Sequence, residues 1–222
     1  MDKYKLELLN LNLKNSFVDY CSMIATGSIV VGDPWIEGRS DVDILIVFNS
    51  DSIIPFNNIE EILKNFNFEE YYVFTPILKK EFGKNNSKYS FSNKFRSKTL
   101  FGEDLVSLSK LPSKEEALKN AIDGLHKSKE RLKNYIVNSR FWDIDKVREK
   151  FWKQFKHIFM WLSVKIYCDK GIYPQNRKEV VKVILSKRIS KMYEILHLIN
   201  NKTKEEIVNC SKEIVNYIEE FI

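Results

Sequence analysis

The pattern of apolar and polar positions divides the chain into a first half of mixed helices and strands and a second half of helices alone. Residues 4–20 carry apolar side chains at mostly helical spacing, and residues 21–25 are apolar ahead of a Thr-Gly-Ser turn. This order predicts a helix that is followed by a strand and a tight turn. Residues 42–48 form the clearest strand, because Ile, Leu and Val follow one another until polar residues end the run.

The remainder of the first half continues this alternation. Residues 58–65 carry Ile and Leu on one face and predict a short helix, whereas residues 68–78 are aromatic and β-branched and predict another strand of the same sheet. Residues 79–98 are polar and lack periodicity, so we expect a loop there, with room for a further short element. Together these elements predict an α/β (α+β) domain with a mixed sheet over residues 1–110.

Residues 111–222 predict an all-helical domain. Ser113, with Glu116 three residues later, is typical of a helix N-terminus, and residues 145–170 carry a continuous apolar face that Gly171 ends. Two further amphipathic stretches follow, at residues 178–200 and 204–221. Four helices of this kind are expected to pack as a bundle.

Composition excludes several classes of protein. With 44% hydrophobic and 30% charged residues among 222, the chain is not expected to be globally disordered, and no apolar run is long enough for a transmembrane helix. The first residues lack the basic and apolar regions of a signal peptide, so we expect a cytoplasmic protein without membrane contact. Three widely spaced cysteines without a CxxC pair predict neither a disulfide framework nor a zinc site.

Charge is distributed unevenly between the two halves. Residues 1–110 hold thirteen basic and fifteen acidic side chains, a net charge of −2, while residues 111–222 hold twenty-three and fifteen, a net charge of +8. Such an asymmetry indicates two parts with different functions.

Two carboxylates at the start of the clearest strand are the main candidates for chemistry. Asp41 and Asp43 are two positions apart, so they project from the same face of a strand and repel each other unless a cation lies between them. Oxygen ligands of this kind suit Mg²⁺, which completes its coordination with substrate phosphates. Gly27 allows close approach to a phosphate, Ser28 supplies a hydroxyl and an amide, and Arg39 is near enough in sequence to reach a phosphate. These residues predict a nucleoside triphosphate site.

This stretch resembles the signature of the nucleotidyltransferase superfamily, which includes the minimal and the aminoglycoside nucleotidyltransferases. The resemblance rests on the Gly27-Ser28 turn, a twelve-residue spacer, and Ser40-Asp41-Val42-Asp43 at the entry to an apolar strand. It implies that Asp41 and Asp43 hold two Mg²⁺ ions on a nucleoside triphosphate, for which ATP is the expected donor. It also implies that Gly27, Ser28, Arg39 and Ser40 lie at the nucleotide. An acceptor hydroxyl would then attack the α-phosphorus, and pyrophosphate would leave.

The resemblance implies two further contributions to the site. Members of the superfamily carry a third carboxylate on a neighbouring strand, and Glu70 is the candidate here, as a metal ligand and acceptor of the hydroxyl proton; Glu69 is the alternative if the strand register differs by one residue. Larger antibiotic-modifying members attach a helical domain. The segment from Gly171 to Glu179 is similar to part of that domain, which makes Lys178, with Arg177 beside it, a candidate triphosphate contact.

The sequence therefore predicts a metal-dependent nucleotidyltransferase with a catalytic domain at residues 1–110 and a helical substrate-binding domain at residues 111–222. The acceptor stays open between an aminoglycoside-like small molecule, a protein hydroxyl and an RNA 3′ end, and no oligomeric state is predicted. An acidic cleft in the helical half would suit a polycationic acceptor, and its candidates are Glu115, Glu116, Asp143, Asp145 and Asp169. The alternative is a non-catalytic nucleic-acid-binding or toxin-partner (antitoxin-like) module on the same fold.

Overall fold

A four-stranded mixed sheet organises the first half of the chain, within the residues that the computed structural model describes, namely 2–33, 36, 40–82 and 87–222. Its strands, in chain order, are β1 (Tyr20–Thr26), β2 (Val42–Phe48), β3 (Tyr72–Leu78) and β4 (Ser97–Gly102). The spatial order is β3-β2-β1-β4, with β2 and β3 parallel and β1 antiparallel to both of its neighbours. The predicted mixed sheet is confirmed.

Helices connect and cover these strands. Those described in the first half are α1 (Lys3–Ser16), α2 (Phe56–Lys64), α3 (Lys79–Phe82), α4 (Ser87–Phe95) and α5 (Leu105–Leu108). Because β2 and β3 are parallel, the chain must cross over between them, and α2 lies in that crossover. Parallel strands covered on both faces read as continuous apolar runs, which explains the sequence of β2.

Alternate residues of β2 face two different parts of the apolar core. Ile44 and Ile46 are buried in the cluster that includes Leu9 of α1, whereas Val47 belongs to a smaller cluster with Phe82 of α3. The alternation of a strand places Asp43 on the same face as Val47. The burial of Ile44, Ile46 and Val47 in these two clusters therefore determines on which face of the sheet Asp43 lies.

Two strand predictions differ from the structure. The strand predicted from residue 68 begins only at Tyr72, because the ring of Phe68 packs 4.7 Å from that of Phe74, by their centroids, while its backbone lies outside the sheet. The aromatic residues ahead of Tyr72 pack in the core without belonging to the strand, and the sequence pattern does not distinguish these two situations. The edge strand β4 was not predicted, since it begins at Ser97 inside a stretch that is polar and aperiodic in sequence.

Residues 112–222, all of which the structure describes, form five α-helices instead of the predicted four. These are α6 (Lys114–Ser139), α7 (Ile144–Lys170), α8 (Arg177–Ile184), α9 (Lys187–His197) and α10 (Lys204–Phe221). Ser113 caps α6 by accepting a hydrogen bond from the Glu116 amide, and Gly171 ends α7 with φ of +74°, both as predicted. The stretch predicted as one helix divides into α8 and α9 because Leu185 adopts a left-handed conformation with φ of +55°.

The chain divides into two compact units, Met1–Leu111 and Pro112–Ile222, one residue from the boundary expected from the sequence. The assignment of a catalytic role to the first unit and a substrate-binding role to the second stays a prediction. None of the described helices combines the length and apolar character that crossing a bilayer requires.

The three thiols are free, and Cys168 and Cys210 are buried. Cys21 is half-buried and donates a hydrogen bond to Glu103 at 3.2 Å. Burial, reinforced by this carboxylate, raises the pKa of the Cys21 thiol to about 11. The thiol is therefore protonated at neutral pH and is a poor nucleophile.

Candidate active site

The turn that follows β1 lies against the carboxylate of Asp43. Thr26 at the end of β1 pairs with Asp43 in the antiparallel ladder, and Gly27 follows with φ of +86°. A β-carbon built on Gly27 would lie 3.1 Å from Oδ2 of Asp43. The absence of a side chain at Gly27 thus permits the positive φ and leaves open the space that the carboxylate borders.

Four paired residues form a row across one face of the sheet. They are, from β4 to β3, Ser97, Thr26, Asp43 and Val73. The Ser97 hydroxyl donates to Oγ1 of Thr26 at 2.9 Å, while Val73 is 42% exposed. Asp43 therefore lies between a hydrogen-bonded pair of hydroxyls on one side and an open apolar side chain on the other.

Hydrogen bonds join several of the described residues between Gly27 and Asp41. The Asp33 amide donates to the Ser28 carbonyl at 3.1 Å, which completes a turn directly after Gly27. Further along, the Ile36 amide donates to Oγ of Ser40 at 2.8 Å, and the Ser40 amide donates back to the Ile36 carbonyl at the same distance. The hydroxyl oxygen of Ser40, a predicted nucleotide contact, thus accepts a hydrogen bond inside the loop.

Arg39, the other predicted contact in this loop, lies outside the described residues. Ser28 is half-buried, and its predicted contact with phosphate stays a prediction.

An ion pair that the sequence analysis missed holds the same turn. Nη2 of Arg96 donates to Oδ2 of Asp33 at 2.9 Å, and the two side chains are 10% and 1% exposed. The carbonyl of Arg96 also accepts the amide of Gly27 at 2.9 Å. The partners are 63 positions apart and Arg96 lies in the aperiodic segment, so no local pattern connects them. The sequence indicated this ion pair only through the position of Arg96, a charged residue directly before β4, and that strand was itself not predicted.

The predicted third carboxylate is not on a strand. Glu70 is exposed in the turn before β3, where the Tyr72 amide donates to the Glu69 carbonyl at 2.9 Å. On the face that Asp43 occupies, its neighbour in β3 is Val73. Among the described residues, no three His, Cys, Asp or Glu side chains are grouped closely enough to hold a metal ion. Metal ligation by Glu70 therefore stays a prediction without support from the geometry, and the same holds for Glu69.

Two carboxylates nevertheless fit the way in which proteins hold magnesium with a nucleotide. Mg²⁺ is usually bound through one or two carboxylates together with substrate phosphates and water, so a cluster of three acids is not required. Asp41 immediately precedes β2 and Asp43 lies within it, next to the side-chain-free Gly27. The residues present are thus compatible with a nucleotide-carried magnesium ion.

In the second unit, the two predicted cationic contacts have different surroundings. Lys178 is exposed in the first turn of α8, whereas Arg177 is 3% exposed and its guanidinium carbon lies 5.1 Å from the ring centroid of Trp152 in α7. Arg177 therefore contributes to packing between α7 and α8, and its removal is expected to disturb that packing. Contact of Lys178 with a triphosphate stays a prediction.

The acidic residues considered for an acceptor cleft do not form one cluster. Glu115 and Glu116 lie in the first turn of α6, while Asp143 and Asp145 lie at the start of α7. Helix α6 separates these groups and has 26 residues, a length of about 39 Å. Asp143 also caps the amide of Lys146. The prediction of a single acidic cleft that Glu115, Glu116, Asp143 and Asp145 line together is therefore wrong.

Comparison with known proteins gives a likeness among solved structures. No family model matches the chain, and no curated protein does either. Among solved structures, it is similar to spectinomycin adenyltransferase AAD(9) from Enterococcus faecialis, determined with ATP and spectinomycin. The match covers 97% of each chain with a TM-score of 0.55 and 16% sequence identity. The resemblance in the sequence is thereby confirmed at the level of architecture: the chain has the fold of this nucleotidyltransferase, a mixed-sheet domain followed by helices.

Proposed function

We propose that the protein is a metal-dependent nucleotidyltransferase that transfers AMP from ATP to a hydroxyl group of a small molecule and releases pyrophosphate. The observation that carries the proposal is that the Asp43 carboxylate, at the entry to β2, borders the space left open at Gly27, where a β-carbon would lie 3.1 Å from Oδ2 of Asp43. A carboxylate beside a glycine turn suits a metal-bound triphosphate, because the carboxylate binds magnesium and the backbone amides of the turn bind phosphate. The likeness to an adenyltransferase determined with ATP and spectinomycin supports ATP as the donor and a small molecule as the acceptor.

Each residue of the site has a definable task. Asp41 and Asp43 would hold magnesium, which, when bound, neutralises charge on the phosphate oxygens during displacement. The backbone of the turn after Gly27 and the Ser28 hydroxyl would donate to the β- and γ-phosphates, because backbone amides in a turn form a concave site for anions. A preformed turn costs little reorganisation at the moment of reaction.

The reaction is an exchange at the α-phosphorus. The acceptor oxygen forms a bond to this atom, the bond to the pyrophosphate oxygen breaks, and the hydroxyl proton passes to a base. We assign that base to Glu70, which is the nearest acid before the neighbouring strand in sequence. A general base of this kind contributes about 10²-fold or more when it contacts the reacting hydroxyl.

The proposed function is tested with the full-length chain, Mg²⁺ and ATP labelled at the α-phosphate. Acceptors are spectinomycin, other aminoglycosides and a single-stranded RNA, and both label transfer and pyrophosphate release are measured. We expect label on a small molecule with an equal amount of pyrophosphate. Transfer to RNA alone would make RNA the acceptor. Tight RNA binding without pyrophosphate release from any mixture would favour the non-catalytic alternative.

Substitution of the two glutamates before β3 tests the third carboxylate. If Glu70 accepts the proton of the acceptor hydroxyl, Glu70→Gln should lower kcat by about 10²-fold or more, the contribution of a general base. Glu69→Gln is the matched control, because it removes the same charge one position away and should leave kcat unchanged. The reverse result would assign the role to Glu69. Equal, near-normal rates would remove both residues from the mechanism.

A further inference from the structure

We propose that the Asp33–Arg96 ion pair is a positioning element of the nucleotide site, which holds the turn at residues 27–33 in the conformation that places Gly27 against Asp43. The inference rests on the proposed function and adds two residues that the site's motif does not contain. They contact neither metal nor nucleotide in this scheme. They act through the turn.

Arg96 engages the turn at both of its ends. At the beginning, its carbonyl accepts the Gly27 amide at 2.9 Å and the Thr26 hydroxyl at 3.3 Å. At the end, its guanidinium donates to Asp33, whose own amide donates to the Ser28 carbonyl. The turn is therefore fixed between two contacts with one residue, and that residue directly precedes β4, which pairs with β1.

The burial of Asp33 and Arg96 favours one conformation of the turn over the others. The Asp33 carboxylate is almost fully buried and Arg96 nearly so, and a charge in such surroundings is strongly disfavoured unless its partner is in place. Conformations of the turn that separate the two charges are therefore disfavoured. Apolar residues of similar volume often replace a buried ion pair without loss of stability, so stability alone does not explain charges at this position. The charges are explained if they fix one conformation of the turn at residues 27–33 beside the Asp43 carboxylate.

Substitution can remove the side-chain contact of Arg96 with Asp33 while its backbone contact with Gly27 remains. Asp33→Asn and Arg96→Gln each leave one charge buried without its ionic partner, so each single substitution is expected to lower the stability of the fold itself. The double variant Asp33→Asn/Arg96→Gln removes both charges, keeps polar groups of similar size, and leaves the backbone bond from Gly27 to residue 96 in place. Its folding is checked by circular dichroism and thermal unfolding. Glu103→Gln is the matched control, because it removes the ion pair with Lys79 in the same unit without touching the turn.

The measurements are amide hydrogen exchange at Gly27 and Asp33 in the nucleotide-free protein, and the affinity for Mg-ATP by calorimetry. In the folded double variant, we expect exchange at these amides to accelerate at least tenfold while amides of β2 keep their protection. We expect the Kd for Mg-ATP to rise about tenfold, and KM to rise more than kcat falls. Glu103→Gln should change none of these quantities.

Three results would overturn the inference, and they differ from one another. Unchanged exchange and affinity in a folded double variant would show that the pair does not position the turn. Faster exchange with unchanged affinity would show a purely structural role. Absence of Mg-ATP binding by the wild-type chain would refute the proposed function on which the inference depends, and the exchange data would still show whether the pair orders the turn.

Discussion

Asp43→Asn should lower kcat/KM for ATP by about 10³-fold or more, because the substitution removes the charge that would hold magnesium at the entry to β2. The side chain keeps its shape, so its position beside Gly27 and the alternation of β2 are retained. Asn also relieves repulsion with Asp41. We therefore expect the midpoint of thermal unfolding to change little.

Turnover and calorimetric titration with Mg-ATP measure this effect. The matched control is Asp51→Asn, an exposed carboxylate in the loop after β2, which removes one negative charge from the same unit and should leave both quantities unchanged. Asp41→Asn is expected to give a similar loss to Asp43→Asn. Normal turnover in either site variant would contradict the proposed carboxylate site.

The proposed site could be suggested from the sequence because its parts are close together in the chain. A strand that is buried on both faces appears as a continuous apolar run, and its alternation places Asp43 on a definite face without further information. The turn at Gly27 is recognisable because only a residue without a side chain leaves space beside the carboxylate. A β-carbon at this position would lie 3.1 Å from Oδ2 of Asp43.

The features that escaped prediction depend on contacts between distant residues. The Asp33–Arg96 ion pair joins residues 63 positions apart, and β4 is defined by its pairing with β1 instead of by any periodicity of its own. The break at Leu185 likewise has no local signal, because that residue is neither glycine nor asparagine although it adopts a left-handed conformation.

The third carboxylate shows the limit of a resemblance. The pattern of the superfamily locates an acid on the strand beside Asp43, and Glu70 is close to that position in sequence. In the structure the register pairs Asp43 with Val73, and the strand from Tyr72 to Leu78 holds no acidic residue. The difference of three positions between Glu70 and Val73 is about 10 Å along an extended chain, more than one side chain length. Sequence spacing alone does not resolve such a shift.

Gly27→Ala should lower kcat/KM for ATP by about 10²-fold, the cost of displacing reacting groups by roughly 1 Å. The new methyl group would lie 3.1 Å from Oδ2 of Asp43, so the carboxylate or the turn must shift. The backbone adds a second cost, because φ of +86° is unfavourable for alanine. These two costs have different consequences, since strain lowers the stability of the fold whereas displacement of the carboxylate lowers activity.

Gly32→Ala separates them, because Gly32 lies in the same turn with φ of +69° and its added methyl group would have nothing within 4 Å. Both variants should lose a similar free energy of unfolding, about 1 kcal/mol, measured by urea denaturation. Only Gly27→Ala should lose affinity for Mg-ATP and turnover. If Gly32→Ala is equally inactive, the turn acts through its backbone conformation alone, and the approach of Gly27 to Asp43 is not what the site requires. If Gly27→Ala retains full activity, the carboxylate has room to move without consequence, and the observation that carries the proposed function loses its force.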